Sequence, residues 1–343
     1  MNLIADIGIK KIDSILPLLS GFEDINIKYL DTGSINSQNL IDTDILLIRS
    51  QTKVNESLLS NSRVNWVGSA TAGIDHIDTF YLDRNKISWF NAAGCNSASV
   101  CNYVLSCLYV LLRDGVFEKN NTVGILGYGN IGKKLKLILD NLNINNCVYD
   151  PYVHNKYLVD KSTVLSSDIL SVHTPLTHTG EFPTFNLINN KELSQTNAHT
   201  IINTSRGGVV SESAILKTNV NYIADVWEDE PNPSTNTIKS SYISTPHIAG
   251  HSYEGKLNGT IAVLTNLMHF LRMSSTEISA NLKKIDQIVS LKEFKYKTIK
   301  DFYDQYAVLD ESNFFKIKIS LGNDFNYLRS LHPERRDLTS FAN

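Results

Sequence analysis

An α/β protein with two doubly wound parallel-sheet domains and a small α+β domain at its C-terminal end is what this sequence predicts. Three observations lead there. Two successive series of short apolar runs alternate with polar, helix-compatible stretches, a glycine-rich turn stands at the head of the second series, and two long helical candidates bracket that series.

The first series comprises residues 3–5, 25–29, 45–48 and 66–69. Runs this short suit strands covered by helices on both faces. The second comprises 122–126, 146–149, 169–172, 200–203, 222–226 and 242–244, and reads as a separate sheet. Helical candidates over 98–113 and 252–271 lie where the chain would cross between the two domains. The chain is thus expected to leave its first domain near Asn91 and return near Gly255. That divides it into a discontinuous substrate domain (1–92 and 255–284), a dinucleotide domain (93–254) and a cleft between them. Beyond Ala280 the sequence becomes charged, aromatic and weakly periodic, which sets 285–343 apart as a third, small domain.

With 343 residues and a formal net charge of only -3, the chain has room for such domains and no general electrostatic grip on nucleic acid or an anionic membrane. Asp6 interrupts the apolar core that a signal peptide needs, so a cytoplasmic protein is expected. The longest near-apolar run, 103–112, is about half the roughly 20 residues of a membrane span and reads as a buried helix. Cys95, Cys101, Cys107 and Cys147 have no paired CxxC spacing; free thiols are expected, and no metal.

An apolar strand runs directly into Gly127-Tyr128-Gly129-Asn130-Ile131-Gly132 and then an amphipathic helix over 133–142. Gly127 allows the tight turn, Gly129 lets the backbone approach a pyrophosphate, and Gly132 lets helix and strand pack closely. A second strand ends in Asp150, at the usual spacing of roughly 20 residues. A carboxylate there binds the adenosine ribose hydroxyls and repels a 2′-phosphate, so NAD is expected in preference to NADP.

Three later segments each begin as a strand and end in a polar group: Arg206 after Asn203-Thr204-Ser205, Glu230 before Pro231, and His247 after Pro246. In an open α/β sheet, strand carboxyl ends face the ligand crevice, so the three converge. Arg206 offers a two-pronged fork to a substrate carboxylate. His247 accepts the hydroxyl proton as hydride leaves the same carbon, and Glu230 orients the imidazole. Taken singly, an ion pair, a turn carboxylate and a core histidine are the duller readings; jointly, after a dinucleotide turn, they point to hydride transfer. Trp227 and Pro246 are expected to pack and to turn the chain.

An Arg in N-x-x-R-G, a Glu before Pro and a His after Pro, in that order, resemble the D-2-hydroxyacid dehydrogenase family over about residues 6–260. The resemblance implies a substrate domain, an NAD domain and closure of the cleft. The stretches 49–55, 70–76, 93–96 and 246–260 are similar to the branch of that family acting on 4-phospho-D-erythronate. This implies NAD-dependent oxidation of that acid to 2-oxo-3-hydroxy-4-phosphobutanoate, a step of pyridoxal phosphate synthesis.

The resemblance further implies substrate contacts at Ser50 and Thr71, NAD contacts at Asp150, Thr174, Asp225 and Gly250, and a homodimer joined through the tail around Leu331-His332-Pro333-Glu334-Arg335-Arg336. Arg49 and Lys53 are candidates for charge at the substrate phosphate, and Arg335 and Arg336 for a neighbouring subunit's phosphate site. The sequence departs from the pattern at His251, where a substrate-binding Tyr is usual, and at Asn102, where Glu is common. Other readings stay open: a dehydrogenase of the 3-phosphoglycerate or hydroxypyruvate type, or an NAD(H)-sensing binding protein.

Overall fold

The computed structural model describes residues 1–289 and 292–342. Ser290, Leu291 and Asn343, which fall in the expected C-terminal domain, lie outside the described residues. Two compact units divide the chain: Met1–Asn96 with Tyr253–Lys292, and Ser97–Ser252 with Glu293–Asn343.

In the first unit, strands β1 (Asn2–Asp6), β2 (Asn26–Leu30), β3 (Ile45–Ile48), β4 (Trp66–Ser69) and β5 (Ser88–Asn91) form a parallel sheet in the order β2-β1-β3-β4-β5. Successive side chains of a strand point to opposite faces, and both faces here are apolar. Leu3, Ala5, Ile45, Leu47 and Trp66 pack with Leu257, Val263 and Leu267 of the helix Tyr253–Phe270. On the other face Ile4, Leu46, Ile48 and Val67 pack with Leu40, Val54, Leu59 and Leu82. Gly68 faces the first of these layers, and a Cβ there would lie 2.5 Å from Val263 Cγ2. That glycine is what lets the helix settle so near the sheet.

The second unit holds β6 (Val123–Leu126), β7 (Asn146–Tyr149), β8 (Ile169–Val172), β9 (Thr200–Asn203), β10 (Asn221–Ala224) and β11 (Ile243–Ser244), all parallel, in the order β11-β10-β9-β8-β6-β7. The helix Ser97–Arg113 buries 14 of its 17 residues, among them Tyr103, Val104, Cys107, Leu108 and Leu111. It shares a core with Ile125, Ile169, Ile202, Ile223 and Ile243, one face of the sheet. Leu126, Leu170, Val172, Ile201 and Tyr222 make the core of the other face.

The C-terminal segment of this unit has its own small parallel sheet, β12 (Phe294–Tyr296) with β13 (Leu338–Phe341), and helices Ile299–Gln305, Val308–Ser320 and Phe325–Ser330. It grips both sheet faces: Tyr296, Phe302 and Tyr306 join the first core, Phe315, Phe325 and Leu328 the second. The middle helix runs along β11, where Ser312 Oγ accepts from the Ser244 N–H at 3.0 Å. A sheet edge is thereby covered.

Asn102, expected as a departure in the interdomain helix, has a structural use in this segment. Its amide nitrogen donates to the Leu338 carbonyl at 3.0 Å and its oxygen accepts from the Leu338 N–H at 2.7 Å. A carboxylate supplies no donor for the first of these bonds. All four cysteines are free thiols, and Cys101 and Cys107 are buried. Among the described residues no helix is long and apolar enough to cross a membrane, and no group of three metal-ligating side chains occurs.

Candidate active site

The strand order of the second unit reverses between β6 and β8. Ligand crevices open outside the strand ends at such a point. There β6 ends and Gly127 turns the chain with φ +101°. A Cβ at Gly127 would lie 2.6 Å from the His173 carbonyl oxygen, and one at Gly132 2.0 Å from the Gly127 carbonyl oxygen, so both positions require glycine. At Gly129 nothing lies within 4 Å of that point. The helix Asn130–Asn141 starts beside this clear space, with its first N–H groups free for an anion.

Asp150, at the end of β7, accepts from the N–H of Tyr128 at 2.8 Å and of Tyr152 at 2.9 Å. It ties the glycine turn to the neighbouring strand end and keeps further lone pairs for a ligand. Thr174 stands two residues past β8, and its Oγ1 is buried without a hydrogen-bond partner. His173 beside it is held neutral: burial pulls its pKa from 6.5 down to about 3.

Arg206, Glu230 and His247 follow β9, β10 and β11, three adjacent strands. His247 Nδ1 and Glu230 Oε2 lie 2.7 Å apart, and Glu230 Oε1 accepts from the Trp227 N–H at 2.9 Å. Burial pushes the Glu230 carboxyl up, but the bond and charge of His247 and the Trp227 N–H outweigh it, and its pKa is lowered. Glu230 is therefore the ionised partner of the imidazole. With Nδ1 engaged, Nε2 is the nitrogen left to exchange a proton with a substrate. Arg206 is half-buried and donates from Nη1 to the Ser205 carbonyl at 2.7 Å. Gly207 follows it because a Cβ there would lie 1.8 Å from the Trp227 carbonyl oxygen. The loops bearing Arg206 and Glu230 touch backbone to backbone.

His247 has φ +56°, a left-handed conformation that a side chain rarely adopts. The force that holds it comes from Asp225, which is 1% exposed. Its carboxylate accepts from Thr245 Oγ1 (2.6 Å) and from the N–H groups of Ile248 (2.7 Å) and Ala249 (2.8 Å), while its carbonyl accepts from the His247 N–H (2.7 Å). Asp225, expected as a cofactor contact, thus holds the loop that bears His247. Gly250 ends that loop, half-buried, and His251 follows it.

Sequence reasoning missed Arg329. From the helix Phe325–Ser330, its Nε donates to the His247 carbonyl at 3.1 Å and its Nη2 lies 3.4 Å from His251 Nε2. Burial pulls this guanidinium below its ordinary value, the Glu230 and Asp225 charges push it up, and Arg206 adds to the fall. No motif marks the position, which is 82 residues from the histidine it serves. Arg335, proposed from sequence as a phosphate ligand of another subunit, is 5% exposed, lies 4.4 Å from the Tyr306 ring centroid and donates to the Ser99 and Ala249 carbonyls. It is committed to its own chain.

The first unit places Ser50 and Thr71 two residues past the paired ends of β3 and β4, Ile48 and Ser69. Ser50 is exposed, and Thr71 Oγ1 shares a 2.8 Å hydrogen bond with Ser69 Oγ. Arg49 differs from expectation: its Nε is 3.1 Å from Asp6 Oδ2, and its Nη2 donates to Thr32 Oγ1 at 2.8 Å. Asp6 is fully buried, so the pair locks β1 to β3 at the sheet's reversal. Lys53 remains exposed.

A family profile described as the NAD-binding domain of D-isomer-specific 2-hydroxyacid dehydrogenases matches residues 114–249. Erythronate-4-phosphate dehydrogenase of Wigglesworthia glossinidia brevipalpis is 35% identical over 335 residues, covering 92% of this chain and 87% of the relative. The enzyme of that name from Shewanella woodyi is 32% identical over 370 residues, covering 100% and 94%. The chain belongs to the erythronate-4-phosphate dehydrogenase family. Among solved structures, the fold is similar to an NAD-dependent formate dehydrogenase from Staphylococcus aureus (TM-score 0.62, 22% identity, 79% of this chain and 96% of that one). It is similar too to a 3-phosphoglycerate dehydrogenase in Entamoeba histolytica (0.63, 22%, 83% and 94%). The clear space at Gly129, the unpartnered Thr174 Oγ1 and the carboxylate of Asp150 fit the NAD of this family.

Next to the loop that bears Glu230 in this family member lies a pair of carboxyl groups. The Glu212 N–H donates to Glu228 Oε1 at 3.1 Å and the Glu228 N–H to Glu212 Oε1 at 2.7 Å. Burial pushes the Glu212 pKa from 4.5 up to about 7, with the Glu228 charge adding and its N–H opposing. Between those values the folded chain keeps a proton that the unfolded chain releases, so stability falls as pH rises through the window and stays low above it. Glu212→Gln is expected to flatten that fall and to raise stability at pH 8 by about 2 kcal/mol, with little change near pH 4.5. Thermal unfolding of both proteins across pH 4.5–8 checks this; parallel curves refute it.

Proposed function

We propose that this chain is a cytoplasmic, homodimeric dehydrogenase that oxidises 4-phospho-D-erythronate to 2-oxo-3-hydroxy-4-phosphobutanoate with NAD, in the synthesis of pyridoxal phosphate. The observation that carries the reading is the 2.7 Å contact of His247 with an ionised Glu230, on a strand end next to that of Glu230 and two strands from that of Arg206. Relatives bearing this name match 92% and 100% of the chain.

Arg206 holds the substrate carboxylate by its fork, with the hydroxyl-bearing carbon turned toward His247. His247 Nε2 takes the hydroxyl proton as the C–H bond breaks, and Glu230 stabilises the imidazolium that results. When bound, NAD supplies the acceptor for the hydride that leaves that carbon. Gly127, Tyr128, Gly129, Asn130, Ile131 and Gly132 form its pyrophosphate turn, Asp150 takes the ribose hydroxyls, and Thr174 and Gly250 line the rest of its site. Asp225 contributes by holding the His247 loop. Ser50, Thr71 and His251 provide hydroxyl and imidazole groups for the substrate.

Purified protein is expected to reduce NAD with 4-phosphoerythronate far faster than with 3-phosphoglycerate or hydroxypyruvate's reduced form, followed at the nicotinamide absorbance. In His247→Gln, kcat is expected to fall on the order of 100- to 10,000-fold with NAD binding kept. Full turnover in that variant, or indifference to the three acids, refutes the reading.

Asp150→Ala is expected to cost about 1.5–3 kcal/mol of NAD affinity. A titration giving the wild-type Kd removes Asp150 from the cofactor site.

Assembly is supported by an exposed apolar stripe on the helix Val308–Ser320: Phe314, Ile317 and, just past it, Leu321 are 40%, 60% and 72% exposed. Spacings of three and four residues put them on one helix face. Ile317→Asp is expected to halve the mass measured by light scattering; a wild-type monomer, or a variant that stays dimeric, counts against assembly through this face.

A further inference from the structure

The left-handed backbone of His247 is held from two sides. Its N–H bonds to the Asp225 carbonyl, and its own carbonyl accepts from Arg329 Nε at 3.1 Å. The same guanidinium reaches His251, with Nη2 3.4 Å from Nε2. A guanidinium carries donors and no acceptor, so this contact requires a lone pair on His251 Nε2 and places the ring proton on Nδ1. One planar group thus sets the backbone of one imidazole and the tautomer of the other. The helix that carries it is itself anchored, since Phe325 and Leu328 are each 2% exposed.

We propose that Arg329 is a positioning residue of this reaction site, through which the C-terminal segment aligns His247 for proton transfer and sets the tautomer of His251. The proposal rests on the preceding reading, in which His247 carries the proton and His251 meets the substrate. Asp225 alone secures only the N-terminal side of His247 and the two residues after it. Charged and titratable groups here include Glu230, Asp225 and Arg206, which act on Arg329, and His332, whose ring centroid is 6.2 Å from that of His251 and whose Nδ1 is 3.5 Å from Glu311 Oε1. Removing Arg329 changes the charge seen by both imidazoles, so the rate against pH is a sensitive readout.

The test uses the full chain with NAD and 4-phosphoerythronate, comparing wild type with Arg329→Gln and Arg329→Lys. The glutamine variant is expected to lose about 100-fold in kcat, the scale of a small misplacement at a reacting centre, and to shift the acid limb of its pH profile. NAD affinity is expected to fall far less than kcat, because the glycine turn and Asp150 lie at β6 and β7 and only Gly250 lies on the loop that Arg329 holds. Lysine keeps the charge but cannot span both partners, so it restores the pH profile more than the rate. Wild-type kcat and pH profile in Arg329→Gln overturn the proposal. So does a loss shared equally by NAD binding and thermal stability, which is the mark of a merely structural role. Should the glutamine variant not fold, His251→Leu is measured: a shifted profile supports the proposal and an unchanged one overturns it. A wild-type enzyme inert toward every hydroxy acid sinks the functional reading with it, whereas an active wild type with indifferent variants sinks the positioning role alone.

Discussion

The buried carboxylate of Asp225 is the constraint around which the site is organised. Two oxygens at the end of β10 gather a hydroxyl and two successive backbone N–H groups from the loop after β11. Removing a carboxylate from water costs several kcal/mol unless such donors replace the lost hydration, and here three do. The same bonds force the chain through His247 with positive φ, a conformation that persists only where the surroundings over-determine it. The imidazole is thereby delivered to Glu230, whose loop starts from the same strand. Thr245 extends the network inward, its hydroxyl lying 2.7 Å from that of the buried Tyr103 on the helix Ser97–Arg113.

Glycines set the distances that this arrangement needs. Gly207 permits the Arg206 loop to lie against the Trp227 carbonyl, and Gly132 permits the cofactor helix to lie against the Gly127 carbonyl. In each case the missing Cβ is a steric requirement measured at 2.0 Å or less. Gly129 differs in kind, since its missing Cβ leaves space for a ligand and not for the protein itself. Gly127, at φ +101°, turns the chain, so the three glycines of the motif do three separate jobs, which explains why its spacing is informative when a strand precedes it and a helix follows.

What was legible in the sequence was the part governed by local pattern. β3, β4, β7, β8 and β9 are four-residue runs that each carry two or more apolar residues between polar stretches, and were bounded correctly from sequence. β5 was not seen although Ser88–Asn91 carries Trp89 and Phe90; it is exposed or half-buried along its length. β12 and β13 were missed because their partners are more than forty residues apart and each is only three or four residues long. The strand-end placement of Arg206, Glu230 and His247 was legible because each follows an apolar run in a recognisable context. The inward commitment of Asp225 and the engagement of Arg49 by Asp6 were not, since sequence gives a side chain's chemistry and not the donors that reach it first.

The same limit explains Arg329, and it bears on why the chain carries its C-terminal segment at all. A segment added only for assembly could dock through apolar contact. This one buries aromatic residues on both faces of the cofactor sheet, pairs β13 with the Asn102 amide, and sends Arg335 to the Ala249 carbonyl and Arg329 to that of His247. Hydrogen bonds to main-chain carbonyls do not depend on which residue carries the carbonyl, and so leave no trace in a motif. They do fix the loop's path, and a path fixed from both its N-H and carbonyl sides has fewer alternative conformations than one held from the sheet alone.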